Sequence, residues 1–311
     1  MPTAPNYKRT KLACYTAYFT MSSVFSLPPL LFVTLHELYD ISYTLLGTLV
    51  LTNFCTQLMI DLLFTFFSKH FNVAKIVRIM PILTSAGMFF YALSPTLLPN
   101  HTYLGLLIGT VVFSVSAGLS EVLLSPTIAA IPSDNPQKAM SFLHSLYAFG
   151  VVAVVAVSTV FLKVFGRENW MYLMMLLALL PLIASAMFMF SPMPDMTSES
   201  ASSGTATAKR KTLGLVLFVA CIFFGSCAEN VMSNWISSYT ETALHIDKAV
   251  GDLLGMALFA VLLGAGRMAY SKFGKNIRPV LLGGMFGAAC CYLVAGLAHS
   301  ALAAFLACIF T

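Results

Sequence analysis

Residues 117–150 read AGLSEVLLSPTIAAIPSDNPQKAMSFLHSLYAFG. Two apolar runs flank a short polar turn; the first run carries Glu121 and the second His144. A carboxylate placed in hydrocarbon costs at least about 2.5 kcal/mol on insertion scales, so it faces a polar cavity or a partner rather than lipid. The stretch predicts two membrane-spanning helices that turn polar groups inward.

Composition agrees. Hydrophobic residues make up 59% of the 311 positions and charged residues only 9%, with a mean hydropathy of +0.86. A soluble domain carries about 25% charged residues. The apolar blocks are long enough, as helices, to cross a hydrocarbon core of about 30 Å. The formal net charge is +5, but the basic residues fall in short connections between spans, which is topological information rather than a nucleic-acid surface. No phosphate loop, zinc motif or nucleophile elbow occurs, so the chain is expected to be no enzyme and to need no cofactor. The seven cysteines lie in apolar segments without ligand spacing and read as small buried residues.

Working outward, the first span runs over about 12–35 and contains Pro28-Pro29, where a kink is expected. The second covers 43–67, with Asn53, Gln57 and Asp61 at four-residue spacing on one helix face. Spans follow at 76–93, 104–131, 141–164 and 171–190. A Ser-, Thr- and Pro-rich connector with three basic residues at its end occupies 191–212. Three more spans are expected at 213–240, 253–270 and 280–298, and Thr311 falls inside what would be a tenth. The expected organisation is therefore an all-α integral membrane bundle: six spans over 1–190, a cytoplasmic linker, and an incomplete second bundle over 213–311. With the N-terminus inside, all but three of the seventeen basic residues lie on the cytoplasmic side, the exceptions being Lys163, Arg167 and Lys248. A bacterial cytoplasmic membrane is the expected location.

The halves share a pattern. Leu45-Leu46-Gly47-Thr48-Leu49 resembles Leu253-Leu254-Gly255-Met256-Ala257, and each span so opened ends in a short basic loop, Ser68 to Asn72 and Ser271 to Lys275. Two parallel repeats of six spans are suggested. Together with NFCTQLMIDLLF (53–64), GLSEVLLSP (118–126), MSFLHSLY (140–147), AENVMSNW (228–235) and VGDLLGMALFAVLLGAGR (250–267), this chain resembles the major facilitator superfamily. Within it, the resemblance is to the fucose-permease-like branch and related transporters of anaerobic Gram-positive bacteria. It implies twelve spans, a cavity between two six-span bundles, and an acid in the fourth span tied to proton coupling. One departure is plain: where the family places an acid, a base, an aromatic and a glycine after the second span, this chain has Lys69, His70, Phe71 and Asn72.

Glu121 is the leading candidate for a proton carrier; its alternative is a hydrogen-bonded acid that holds spans together. His144 is read as a relay partner or solute ligand, or as an interfacial cap. Asp61 is read as a coupling or gating acid, or a structural one near the surface. Glu229, Asn230 and Trp235 in the seventh span combine an acid, an amide and an indole, a set suited to a hydroxylated ligand, and Asn53 and Gln57 extend that polar lining. The alternative for all of these is polar glue between helices. Arg267 and Lys69 are gate candidates, with Arg267 otherwise an ordinary cytoplasmic anchor. Asp252 reads as a helix N-terminal charge near the outer surface, the glycines of the eighth and ninth spans as close packing, and the remaining histidines as solvated. The expected function is proton-coupled (or other cation-coupled) symport of a small hydroxylated solute such as a sugar, by alternating access through the lipid bilayer. Efflux of amphipathic compounds and a truncated, non-transporting membrane protein are the alternatives.

Overall fold

The computed structural model describes residues 6–132, 136–194, 208–273 and 277–311. Every regular element among them is helical. The polar turn after the fourth span and most of the connector after the sixth lie outside the described residues. The chain divides into two compact units, Met1–Met196 and Thr197–Thr311. Seven helices are long and apolar enough to cross a membrane, eight if one bent pair is a single span. Among the described residues the expected nine full spans are thus not all found; the ninth segment is there an apolar helix over Leu282–Leu297, within a longer helix Ile277–Leu297.

In the first unit, helix α1 (Lys8–Leu30) is followed by α2 (Phe32–Tyr39) at a bend of 46°. The bend sits where Pro28 and Pro29 remove two backbone donors and crowd the preceding turn, and Leu31 N–H spans it by donating to the Leu27 and Pro28 carbonyls. Helices α3 (Tyr43–Phe67), α4 (Val73–Leu97), α5 (Thr102–Ala130) and α6 (Pro136–Phe165) follow. The sixth span is broken at Leu179, into α7 (Trp170–Ala178) and α8 (Leu180–Met189), just before Pro181.

Helix association in lipid lacks the hydrophobic drive available in water, so close packing through small residues and polar contacts carries it. The α4–α5 pair shows both. A Cβ at Gly87 would lie 2.5 Å from the Phe113 backbone nitrogen, and one at Gly109 would lie 2.8 Å from the Tyr91 backbone. Thr84 Oγ1 and Ser116 Oγ bond at 2.7 Å, and Ser116 also donates to the Met80 carbonyl. Helix α1 approaches α6 where Gly150 abuts Ser22 and the Phe19 carbonyl. The two ends are tied separately. At one, Arg167 pairs with Glu37 at 2.9 Å and Trp170 Nε1 donates to Tyr39 OH at 3.3 Å. At the other, Thr10 Oγ1 donates to the Pro192 carbonyl and Ser185 Oγ to the Arg78 carbonyl.

The second unit holds α9 (Ala208–Thr242), a single turn α10 (Lys248–Val250), a π-helical stretch Gly251–Ala257, and then α11 (Leu258–Phe273), α12 (Ile277–Leu297) and α13 (Ala301–Ile309). Tyr292 OH donates to the Ala228 carbonyl at 2.6 Å and Tyr239 OH to the Ala295 carbonyl at 2.5 Å, fastening α12 to α9.

Several expectations are corrected. Gly251 and Gly255 do touch neighbours, but a Cβ at Gly266, Gly283, Gly284 or Gly287 would meet nothing within 4 Å; those positions are small without being packed among the described residues. Only Cys14 and Cys308 are buried, while Cys55, Cys221, Cys227 and Cys290 are exposed on their units. An apolar thiol can face lipid as readily as protein. His36 is not a solvated loop residue: it sits in α2, half-buried, with Nδ1 bonded to the Ile41 carbonyl at 2.9 Å.

Candidate functional site

Helices α3 and α5 share a polar seam. Gln57 Nε2 donates to Asn53 Oδ1 at 2.7 Å, and Ser114 Oγ donates to the same oxygen at 2.7 Å. One turn on, Gly118 lets the helices close: a Cβ there would lie 3.2 Å from Gln57 Cα and 3.1 Å from Ile60 Cβ. The Asn53 partner on α5 lies 61 positions further along the chain, and the Gln57–Gly118 contact repeats that offset. A constant offset means the two helices run parallel. One turn further, Asp61 stands four residues beyond Gln57 and Glu121 three beyond Gly118, so both acids fall at nearly the same level of the α3–α5 pair.

The carboxyls differ in setting. Asp61 is half-buried, and its Oδ1 is covered with no hydrogen-bond partner among the described residues. Glu121 is exposed on the unit, about 14 Å along α5 from its Ala130 end at 1.5 Å per residue. An acid at that depth is costly wherever it faces acyl chains. Two acids on one seam can hold and pass a proton, because a shared proton removes the repulsion between them.

His144 lies in another seam, between α6 and α1. Its Nδ1 bonds Tyr18 OH at 2.9 Å, and the rings meet edge-to-face at 5.3 Å. Tyr147, Tyr18 and Phe25 continue the aromatic wall, with centroids 6.4 and 5.9 Å apart. The structure thus brings Asn53, Gln57, Asp61 and Glu121 together and gives His144 a different partner. Tyr18 and Ser114 were missed in the sequence, since an isolated hydroxyl in an apolar span carries no signal of what it bonds.

In the second unit, Glu229, Asn230 and Trp235 are all half-buried on α9. Asn230 Nδ2 donates to the Ser226 carbonyl at 2.8 Å, Asn234 Nδ2 to the Asn230 carbonyl at 2.7 Å, and Ser233 Oγ to the Glu229 carbonyl at 2.8 Å. These bonds run back along α9 itself. Lys69 falls in a 3₁₀ turn and Arg267 in α11, and the side chains of both lie outside the described ones.

Asp252 is corrected. It is 1% exposed, accepts from Ser237, and lies 3.5 Å from Lys248 Nζ. Lys248 reaches Glu241 at 3.6 Å and donates to Ser237 Oγ at 3.2 Å. The residue read as a surface helix charge belongs to a buried ionic cluster that joins α9 to the π-helical turn.

Fold and seams describe a polytopic helical membrane protein, and the comparisons show its family. It matches the Major Facilitator Superfamily over residues 13–311, and it belongs to that family. Its fold is similar to that of a D-xylose-proton symporter, with TM-score 0.72 at 15% identity over 98% of this chain and 79% of that one. It is similar too to the inward-open xylose transporter XylE from E. coli (TM-score 0.69, 14% identity, 97% and 77%). A bacterial homologue of the human lysosomal transporter Spinster gives 0.69 at 14% identity over 97% and 70%. No curated protein matches the chain significantly. The chain is thus a multi-pass membrane transporter.

Proposed function

We propose that the protein is a proton-coupled symporter of a small hydroxylated solute, such as a sugar, working by alternating access in a bacterial cytoplasmic membrane with its N-terminus inside. The observation that carries this is the polar seam of Asn53, Gln57 and Ser114 between two spanning helices, with Asp61 and Glu121 one turn further along it. Glu121 is the proton carrier and Asp61 its partner. His144, bonded to Tyr18, relays protons or touches solute. The similarity in fold to a protein named for D-xylose–proton symport supports a sugar as solute, and the placement in the fucose-permease-like branch rests on the sequence resemblance.

Glu229, Asn230 and Trp235 are the proposed solute ligands. Asn230 keeps its amide oxygen as an acceptor, since its bond to the Ser226 carbonyl uses the amide N–H. Asn53 keeps its amide N–H for solute, and Gln57 stands beside it. Arg267 and Lys69 are the proposed gate residues on the cytoplasmic side.

The test is accumulation against counterflow in proteoliposomes, with radiolabelled D-xylose and L-fucose as probes. Glu121→Gln is expected to abolish proton-driven accumulation while leaving solute exchange without net proton movement. Undiminished accumulation in that variant would remove Glu121 from coupling.

A further inference from the structure

Asn53 Oδ1 is an unusual atom for a solute ligand. It already accepts from Gln57 Nε2 and from Ser114 Oγ, both at 2.7 Å, and a carbonyl-type oxygen has two lone pairs. One is taken by Gln57 along α3 itself and the other by Ser114 across to α5. One turn further the helices touch through Gly118, where a Cβ would lie 3.1 Å from Ile60 Cβ and 3.2 Å from Gln57 Cα, so that a methyl would push the helices apart slightly. One more turn along each helix, Asp61 and Glu121 fall at nearly the same level.

We infer that Ser114, Asn53 and Gly118 are positioning residues for proton coupling: one bond across the seam and one close contact fix the separation of the Asp61 and Glu121 carboxyls, so that the pair titrates as one unit. The inference rests on the reading of Glu121 as the proton carrier. Interaction between two carboxyls falls steeply as they part, and groups that interact strongly release protons as a pair rather than singly. A seam that sets their spacing therefore sets how the pair takes up its proton.

Other titratable groups on the surrounding helices are engaged elsewhere. On α4, Arg78 reaches the Ser191 carbonyl and Tyr91 is fully buried beside Trp170. On α6, His144 bonds Tyr18 of α1, and Cys14 of α1 is buried in the apolar core. Lys75 lies at the first turn of α4.

The experiment needs no identified solute, because the probe is the proton. Infrared difference spectra of the purified full chain are recorded between acidic and alkaline buffer, and the carboxylic C=O band lost in Glu121→Gln is assigned to Glu121. The midpoint of that band is then followed in Gly118→Ala and in Ser114→Ala. Each is expected to displace it by about half a pH unit or more, roughly a threefold change in proton concentration, as expected when a nearby charge is moved. In the Asp61→Asn background the same two substitutions are expected to do nothing more, because the partner whose distance they change is gone.

A general loosening of the fold would act equally with and without Asp61. Wild-type midpoints in both variants, or equal shifts in the two backgrounds, would overturn the inference while leaving Glu121 as a titrating group. A spectrum with no band lost in Glu121→Gln would instead overturn the reading of Glu121, and the inference with it. Ser114→Ala removes one hydroxyl and adds no bulk, so it carries the test if Gly118→Ala fails to fold.

Discussion

At the scale of single residues, burial decides what a charge is worth. The Lys248 side chain is 10% exposed between Asp252 at 2% and Glu241 at 15%. Removing one partner from such a cluster leaves uncompensated buried charge, a cost of about 3–5 kcal/mol. Lys248→Ala is therefore expected to lower the melting temperature of the detergent-solubilised protein markedly. Arg167 and Glu37, at 34% and 53% exposed, form a surface pair worth under about 1 kcal/mol, so Arg167→Ala is expected to leave the melt nearly unchanged. Equal effects from the two substitutions would contradict this ranking. The acids were legible in the sequence because an Asp or Glu inside an apolar run stands out. Their partners were not. Asp252 read as a helix-end charge because, although Lys248 stands four residues before it, nothing in the order of residues shows Ser237 and Glu241 of α9 closing over the pair. Tyr18 and Ser114 look like any hydroxyl in a span, and only the packing of α1 on α6 and of α5 on α3 gives them meaning.

At the scale of elements, the positions and lengths of most helices followed from apolar block length, and the break after α1 from its two prolines. The matched stretches 45–49 and 253–257 show where pattern stops short of geometry. The first lies in the regular α-helix α3, while the second lies in the π-helical stretch Gly251–Ala257. The wider turn carries Asp252, the residue bound by Ser237 and Lys248, and π-turns recur at functional sites. Glycine pattern misled in the same way. Gly87 meets the Phe113 backbone at 2.5 Å, whereas Gly284 meets nothing within 4 Å. Overpacking of a tight contact costs about 1–3 kcal/mol, so Gly87→Ala is expected to lower thermal stability by about that amount. Gly284→Ala is expected to be neutral or slightly stabilising, since alanine is the better helix former. Matching melts would show that α4 and α5 are not held by that approach.

At the scale of the whole molecule, family membership and the skew of basic residues bear on different questions. Membership makes the chain a transporter; the skew argues for orientation. With the N-terminus inside, a cysteine introduced by Asn169→Cys should react with a membrane-impermeant maleimide in intact cells, and one introduced by Asn72→Cys should react only after the cells are opened. The reverse pattern would invert the topology, though not the fold. Proton coupling through Glu121 is the claim on which most else depends, and proton movement itself is its most direct measure. Proteoliposomes in weakly buffered medium are given D-xylose, L-fucose and a panel of related sugars and polyols, and external pH is followed. Wild-type protein is expected to alkalinise the medium with at least one solute as protons enter with it, and Glu121→Gln to abolish that signal. A solute that drives the same alkalinisation through the Glu121→Gln variant would contradict the assignment of the proton to Glu121.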